Sequence, residues 1–353
     1  MSSLTFRALP DQRAPSAAGC PDWQTAVAEA VRSPAELCRL AGLSPATAAE
    51  AESAAAGFPL LVPRPFLARI RPGDAQDPLL LQVLPRAAEQ AEDPRYRTDP
   101  LGEAGAACCP GLLAKYHGRS LMVTTGACGV HCRFCFRRHF PYFRGADFKS
   151  ALHRPFRGAD FQSALEHLAA DGSIREVILS GGDPLSLPDR HLARLAGRLA
   201  EIPHLRRLRV HTRLPVVIPQ RVTGELMGWL RGTRLSPIVV VHVNHPAEID
   251  AAVAAAFGRL LDAGIPVLSQ GVLLRGINDR LEVLAELYQR LVDLRVMPYY
   301  LHQLDPVAAV AHFEVPEATG IALMAQLRAQ LPGYAVPRYV RETPGAASKE
   351  VLA

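Results

Sequence analysis

The chain has 353 residues, 49% of them apolar and 21% charged, enough to bury a large core as one large domain or a domain with appendages. Its net charge of +5 is mild for that length, so the short basic clusters "RFCFRR" and "HLRRLR" are read as solvated faces and anion contacts, and no nucleic-acid partner is expected. No apolar run approaches the ~18 to 20 residues of a membrane helix, the N-terminus lacks the apolar core of a secretion signal, and seven cysteines with three crowded into one motif do not suit a disulfide framework, so the expectation is a cytoplasmic protein with reduced thiols and no membrane contact.

Residues 1–105 combine Ala-rich stretches ("DWQTAVAEAVRSPAELCRLAGL", "SPATAAEAESAAAG") with Pro-rich turns ("LVPRPF", "RPGDAQDP"), which predicts a mainly helical N-terminal region. From Arg119 the texture changes. Short β-rich runs at 120–125, 176–180, 207–212, 238–243, 266–274 and 296–302 alternate with amphipathic stretches such as "LPDRHLARLAGRLAEI" and "AEIDAAVAAAFGRLLDAG". Repeated βα units imply a parallel sheet. No Gly-rich dinucleotide loop follows the first strand, so the α/β class expected is a partial (β/α)6 barrel over 106–305, followed by a C-terminal segment at 306–353. "FRGADFKSAL" at 143–152 recurs as "FRGADFQSAL" at 156–165, a local duplication that lengthens the loop after the first strand.

That loop opens with "CGVHCRFC", in which Cys128, Cys132 and Cys135 follow the first predicted strand. Cys20, Cys38, Cys108 and Cys109 lie elsewhere. Thiolates are soft ligands for zinc or iron–sulfur clusters, and a four-iron cluster held by three of them keeps one iron open for an outside ligand. S-adenosylmethionine, chelating through its amino and carboxylate groups, is the occupant such an iron takes in radical enzymes. The spacing alone also allows a zinc site completed by His131 or His139. The context favours the cluster, because "LSGGDPL" follows the second strand directly. There Gly181 and Gly182, followed by Asp183, remove side chains where a backbone must approach a ligand.

With these residues in view, the chain resembles the radical S-adenosylmethionine lysine 2,3-aminomutase family, most closely its elongation factor P (R)-β-lysylation branch. The resemblance runs from about Phe58 to the end through "DPLGE", "KYHGR", "CGVHCRFCFRRHFPY", "ILSGGDPL", "RLPVVIPQR", "NHPAEID", "LLRGIND", "PYYLHQLD", "AHFEV" and "VRETPGAASK". It implies a radical S-adenosylmethionine barrel with a 4Fe-4S cluster, and pyridoxal phosphate carried as a Schiff base on Lys349, with "GAAS" before it where the free-lysine enzymes have a run of glycines. It also implies Tyr116 near the pyridoxal ring, Lys115 near its phosphate, and Arg213, His242 and Gln270 near S-adenosylmethionine. Arg137 would pair with the substrate carboxylate and Arg138 be its structural neighbour. Asp305 and Glu342 would hold the distal ammonium of L-lysine, Glu342 replacing an aspartate of the free-lysine enzymes. The product would be β-lysine, passed to the lysyl ligase of elongation factor P, with a flavodoxin or ferredoxin as reductant. The chain ends four residues after Lys349, so no intersubunit zinc segment and a smaller homo-oligomer are expected. The alternatives are an aminomutase making free β-lysine or acting on another amino acid, a family member without turnover, and a zinc-stabilised RNA-binding module.

Overall fold

A computed structural model describes residues 22–140 and 161–353. The duplicated segment lies outside the described residues apart from 161–165. Four short helices open the described part of the chain, α1 (Trp23–Ala28), α2 (Pro34–Leu40), α3 (Pro45–Ala54) and α4 (Arg64–Leu67). Ser33 and Ser44 cap α2 and α3 by accepting from the backbone N–H groups of Glu36 and Thr47, and each helix has proline in its first turn, where no intrahelical donor is lost.

The described strands form one open ten-stranded sheet in sequence order. A hairpin of β1 (Ala107–Cys109) and β2 (Leu112–Tyr116) leads antiparallel into β3 (Arg119–Thr125). From β3 the strands run parallel through β4 (Glu176–Gly181), β5 (Arg207–Thr212), β6 (Ser236–His242), β7 (Val267–Val272) and β8 (Met297–His302), which match the six strands expected from the sequence. Past residue 305 the same sheet continues, with β9 (Arg338–Arg341) parallel to β8 and β10 (Glu350–Val351) antiparallel to β9.

Crossovers are made by α5 (Gln162–Ala170), α6 (Asp189–Ala200), α7 (Leu214–Val217), α8 (Gly224–Arg231), α9 (Ala251–Asp262) and α10 (Leu281–Asp293), and α11 (Glu317–Gln330) precedes β9. Helix α9 starts where the Asp250 carboxylate accepts from Val253 N at 2.9 Å. It then buries Val253, Ala256, Phe257 and Leu260 on one stripe. The residues of β4 are buried throughout, as a strand covered on both faces requires. Strand β5 alternates instead. Leu208 and Val210 are buried in the apolar core, and Arg209 and His211 turn toward the concave side.

The N-terminal region braces the loop after β3. Leu61 O accepts from His131 N, and Gln82 O from Arg133 N, each at 2.9 Å. Glu89 takes the guanidinium groups of both Arg133 and Arg138, all three buried. The loop is therefore braced by a segment that precedes it by about forty to seventy residues, a packing relation no local pattern encodes.

Candidate active site

The concave face of the sheet encloses a cavity at the C-terminal ends of the parallel strands, where catalytic groups of (β/α) folds converge. Its wall includes Cys128, Cys132 and Cys135 at one end and Lys349, Glu342 and Asp305 at another. The remaining residues singled out in the sequence, Lys115, Tyr116, Arg137, Gly181, Gly182, Asp183, Arg213, His242 and Gln270, line it as well.

Backbone geometry builds the cysteine end. A Cβ at Gly182 would stand 2.3 Å from Ala127 O, and one at Gly181, whose φ is +126°, 2.5 Å from Thr125 O. The close approach these glycines permit is to the end of β3 and the start of the cysteine loop, and both also line the cavity where the ligand contact is expected. Asp183 is likewise engaged by protein. Its carboxylate accepts from the backbone N–H groups of Leu185, Arg213 and Leu214 at 2.7–3.1 Å and from Thr212 Oγ1 at 2.8 Å, tying the ends of β4 and β5 together. Arg213 contacts the loop directly, with Nη1 2.7 Å from Cys132 Sγ and Nη2 held by Gln82 at 2.6 Å and Glu248 at 3.0 Å.

Burial, then the charges of Cys135 and Asp183, push the Cys128 thiol well up, and burial with Cys132 pushes Cys135 up to about 11. Metal binding must displace those protons. Neither histidine proposed as a zinc ligand is aimed at the thiols through the nitrogen the structure engages. His131 Nδ1 bonds Pro59 O at 2.9 Å and His139 Nε2 bonds Ala308 O at 3.3 Å. Among the described residues no three His, Cys, Asp or Glu side chains converge on a single ion. Three soft donors spread along a loop fit a cluster better than one ion. Beside them His242, in register with Gln270 on the next strand, stacks on Phe134 with centroids 5.5 Å apart. Its Nε2 is buried without a hydrogen bond, as a group awaiting a polar ligand would be.

Charge pairing builds the other end. Lys349 Nζ pairs with Glu342 Oε2, and Glu342 Oε1 lies 2.8 Å from Lys115 Nζ. Lys115 lies 3.0 Å from Glu103, which receives Arg137 through Nε and Nη2 at 2.7 and 2.8 Å. Arg137 Nη1 donates onward to Ser180 Oγ at 3.0 Å. The result is an alternating chain of three cations and two anions. Burial would raise the Glu342 pKa, but Lys349 and Lys115 outweigh it and hold the carboxyl down at about 2. Among the described residues Asp305 has no such ion-pair partner. Burial and then the Glu342 charge push it up to about 7.

Sequence reasoning missed Glu103, His211, His302 and Glu248. Glu103 stands in "DPLGE" and Glu248 in "NHPAEID", so both lay within motifs already noted. His302 likewise stands in "PYYLHQLD", whereas His211 carried no signal beyond alternation on β5. Arg137 was expected to meet a substrate carboxylate, and the structure places its fork on Glu103. Arg138 is structural as expected, bonded to Glu89 at 2.8 Å.

No protein-family model matches the chain. Among curated proteins it is 41% identical over 332 residues to the L-lysine 2,3-aminomutase of Haemophilus influenzae, covering 94% of this chain and 96% of the relative. It is 42% identical to that of Escherichia coli K12, with 94% of each covered, and 37% identical to that of Clostridium subterminale, covering 80% of this chain and 66% of the relative. Solved structures are more distant. A radical SAM methyltransferase from Sphaerobacter thermophilus matches 65% of this chain and 68% of its own at 19% identity and a TM-score of 0.43, a likeness that carries no argument. On the strength of the nearly full-length relatives, the chain belongs to the L-lysine 2,3-aminomutase family and is an enzyme of the isomerase class.

Proposed function

We propose that the chain converts L-lysine to β-lysine as a radical S-adenosylmethionine enzyme that also uses pyridoxal phosphate, and that its product supplies the lysyl ligase that modifies elongation factor P. One observation carries this reading. The amine of Lys349 opens onto the same cavity as the three cysteines, next to two acids suited to a second amine. When bound, the cluster and S-adenosylmethionine supply a primary carbon radical under one-electron reduction, and the pyridoxal ring supplies an imine π-system across which nitrogen can move between neighbouring carbons.

The protein's own part is holding and excluding. Cys128, Cys132 and Cys135 are the cluster's thiolate ligands, and Arg213, braced by Glu248, fixes Cys132 and offsets its charge. His242 and Gln270 present polar atoms at adjacent strand ends for S-adenosylmethionine. Lys349 is the attachment point of the pyridoxal group. Tyr116, under the Arg119 guanidinium at 4.8 Å, supports its ring, and Lys115 faces its phosphate. Asp305 and Glu342 form the ammonium pocket, which attracts lysine and repels glutamate through like charge. Arg137, held rigid by Glu103 and Ser180, faces the substrate carboxylate. The apolar wall of Phe58, Phe134, Leu304 and Val272 keeps water away from the radical.

In this reading residues 1–105 brace the loop, 106–305 form the barrel, and 306–353 bring in the pyridoxal lysine. A flavodoxin or ferredoxin would be the electron source. The test is anaerobic incubation of reconstituted, reduced protein with both cofactors and a panel of amino acids. Lysine should yield β-lysine, and label should pass through 5′-deoxyadenosine. Preference for alanine or glutamate would sink the substrate assignment. Stoichiometric zinc without sulfide in protein purified without air would remove the radical chemistry. The destination is tested separately, by asking whether a strain lacking this protein accumulates elongation factor P without the added β-lysyl group.

A further inference from the structure

Strand β5 turns Arg209 and His211 toward the cavity, and Arg213 follows on the same side. Arg213 is tied to Cys132 and Glu248, and Arg209 to Glu176 at the other end of the strand. His211 lies between them. Its Nε2 is buried and has no hydrogen-bond partner among the described residues. Buried side-chain nitrogens are rarely left so, and one that lines a cavity marks the place of a ligand atom. Burial, then Arg209, Lys349, His302 and Arg137, push the ring's pKa well down, so the imidazole is neutral and carries a single N–H.

The carboxylate of a bound amino acid has a specific need here. A carboxylate usually takes both prongs of an arginine fork. In this protein the Nε and Nη2 prongs of Arg137 are on Glu103, so while that pair stands a substrate carboxylate meets Arg137 only from the side. Its second oxygen needs another donor. A substrate whose α-nitrogen takes the place of Lys349 Nζ carries its carboxylate two bonds from that nitrogen, on whichever wall has a donor near both Lys349 and Arg137. His211 lines the same cavity as both and lies within reach of their charge. His302, the other imidazole on this cavity, ends β8 three residues before Asp305 of the ammonium pocket.

We propose that His211 Nε2 donates a hydrogen bond to the carboxylate of the amino-acid substrate and shares that group with Arg137. The proposal rests on the reading of the site as an amino-acid aminomutase. It makes His211 a residue that selects α-amino acids over plain diamines.

The experiment uses the full chain loaded with pyridoxal phosphate and follows the cofactor's absorbance during titration with L-lysine or with 1,5-diaminopentane, which has both amines and no carboxylate. His211→Ala should weaken lysine by about ten- to a hundredfold, the loss of one hydrogen bond to a charged group, and leave diaminopentane unchanged. His211→Gln, which keeps an N–H donor, should recover most of the lysine affinity. Equal weakening of both ligands in either variant would overturn the proposal and make His211 structural. Loss of the cofactor band from a variant with unchanged thermal unfolding would overturn it in favour of a cofactor contact. If His211→Ala does not fold, the ratio of lysine to diaminopentane affinity in His211→Gln and His211→Asn decides the matter, and an unshifted ratio in both overturns it. A wild-type protein that binds no pyridoxal phosphate, or whose band responds to neither ligand, would refute the functional reading itself. That result is told apart because it appears before any substitution is made.

Discussion

The two ends of the cavity are held by different forces. At the cysteine end the ligands fall within eight consecutive positions, and the loop that carries them is pressed against Gly181 and Gly182 with no room for a methyl group. At the amine end the pieces come from far apart, Lys115 and Glu342 being 227 positions distant, and they are held by alternating charge. The first end is shaped by close backbone contacts with the N-terminal brace behind them. The second is a balance of charges that a bound amine, carboxylate or phosphate must rearrange.

The harshest test of the cysteine end is Cys132→Ala. It should remove a cluster ligand and leave the Arg213 guanidinium facing no thiolate. Turnover should vanish, with iron and sulfide content falling well below that of the wild type. Wild-type iron content in this variant would mean that the three cysteines are not the anchor. At the amine end the comparable change is Glu103→Gln. Glu103 is 3% exposed and Arg137 5%, and removing the anion takes from Arg137 its carboxylate partner and leaves Lys115 with Glu342 alone. Breaking such a buried pair costs about 3 to 5 kcal/mol, readable by urea unfolding. Glu103→Asp, which keeps the charge and shortens the reach, should fall in between. If Glu103→Gln unfolds at the wild-type midpoint, the charge chain is decoration and the contrast between the two ends fails.

How much of this was readable beforehand follows from the same contrast. The six parallel strands were legible because β-rich runs alternate with amphipathic ones, and the three cysteines because their spacing is local. The hairpin β1–β2 was not. "ACC" and "LLAKY" are too short and irregular to show a period, and the pairing includes a register shift. Strands β9 and β10 were missed for a related reason, being four and two residues long and recruited by the edge of an existing sheet. Lys349 could be singled out by resemblance only, since a lysine just before a two-residue strand has no chemical signature until Glu342 stands against it. Glu103 and His211 needed the fold. Nothing in "DPLGE" says that the glutamate will meet Arg137, and nothing in "RVHT" says that the imidazole will be left without a partner.

A milder change sharpens the backbone side of the comparison. In Gly182→Ala the new methyl meets carbonyl oxygen of the main chain, which cannot swing aside as a long side chain would. Overpacking of this kind costs roughly 1 to 3 kcal/mol. Because the displaced atoms belong to the cysteine loop, iron content should fall together with the thermal midpoint. The same substitution at Gly197, on α6 with open space around it, is the control and should leave iron content alone. A Gly182→Ala protein that loses stability but keeps its full iron would show that the loop's position is fixed by the N-terminal brace, through Glu89 and Gln82, more than by the glycines.

The subtlest difference between the ends is in how each answers to pH. Asp305 ordinarily would titrate near 3.8, but burial, and next the neighbouring Glu342 charge, push it up to about 7. Between these values the folded chain binds more protons at this site than the unfolded one, so its contribution to stability is full below about pH 4 and is lost as pH rises through about 7. Asp305→Asn therefore should be more stable than the wild type at pH 8, with the gap narrowing as the pH is lowered. A bound ammonium reverses the preference by favouring the carboxylate. Lysine binding then must expel the proton wherever Asp305 holds one, and the affinity should weaken by up to about tenfold for each pH unit below 7. Calorimetric titration of the cofactor-loaded protein at pH 6, in two buffers of different ionisation enthalpy, should count up to one proton released per lysine bound. In Asp305→Asn that release should disappear while a weaker affinity remains through Glu342, already ionised by Lys349 and Lys115. A proton release that survives the substitution would assign the titration to another group and leave Asp305 outside the ammonium pocket.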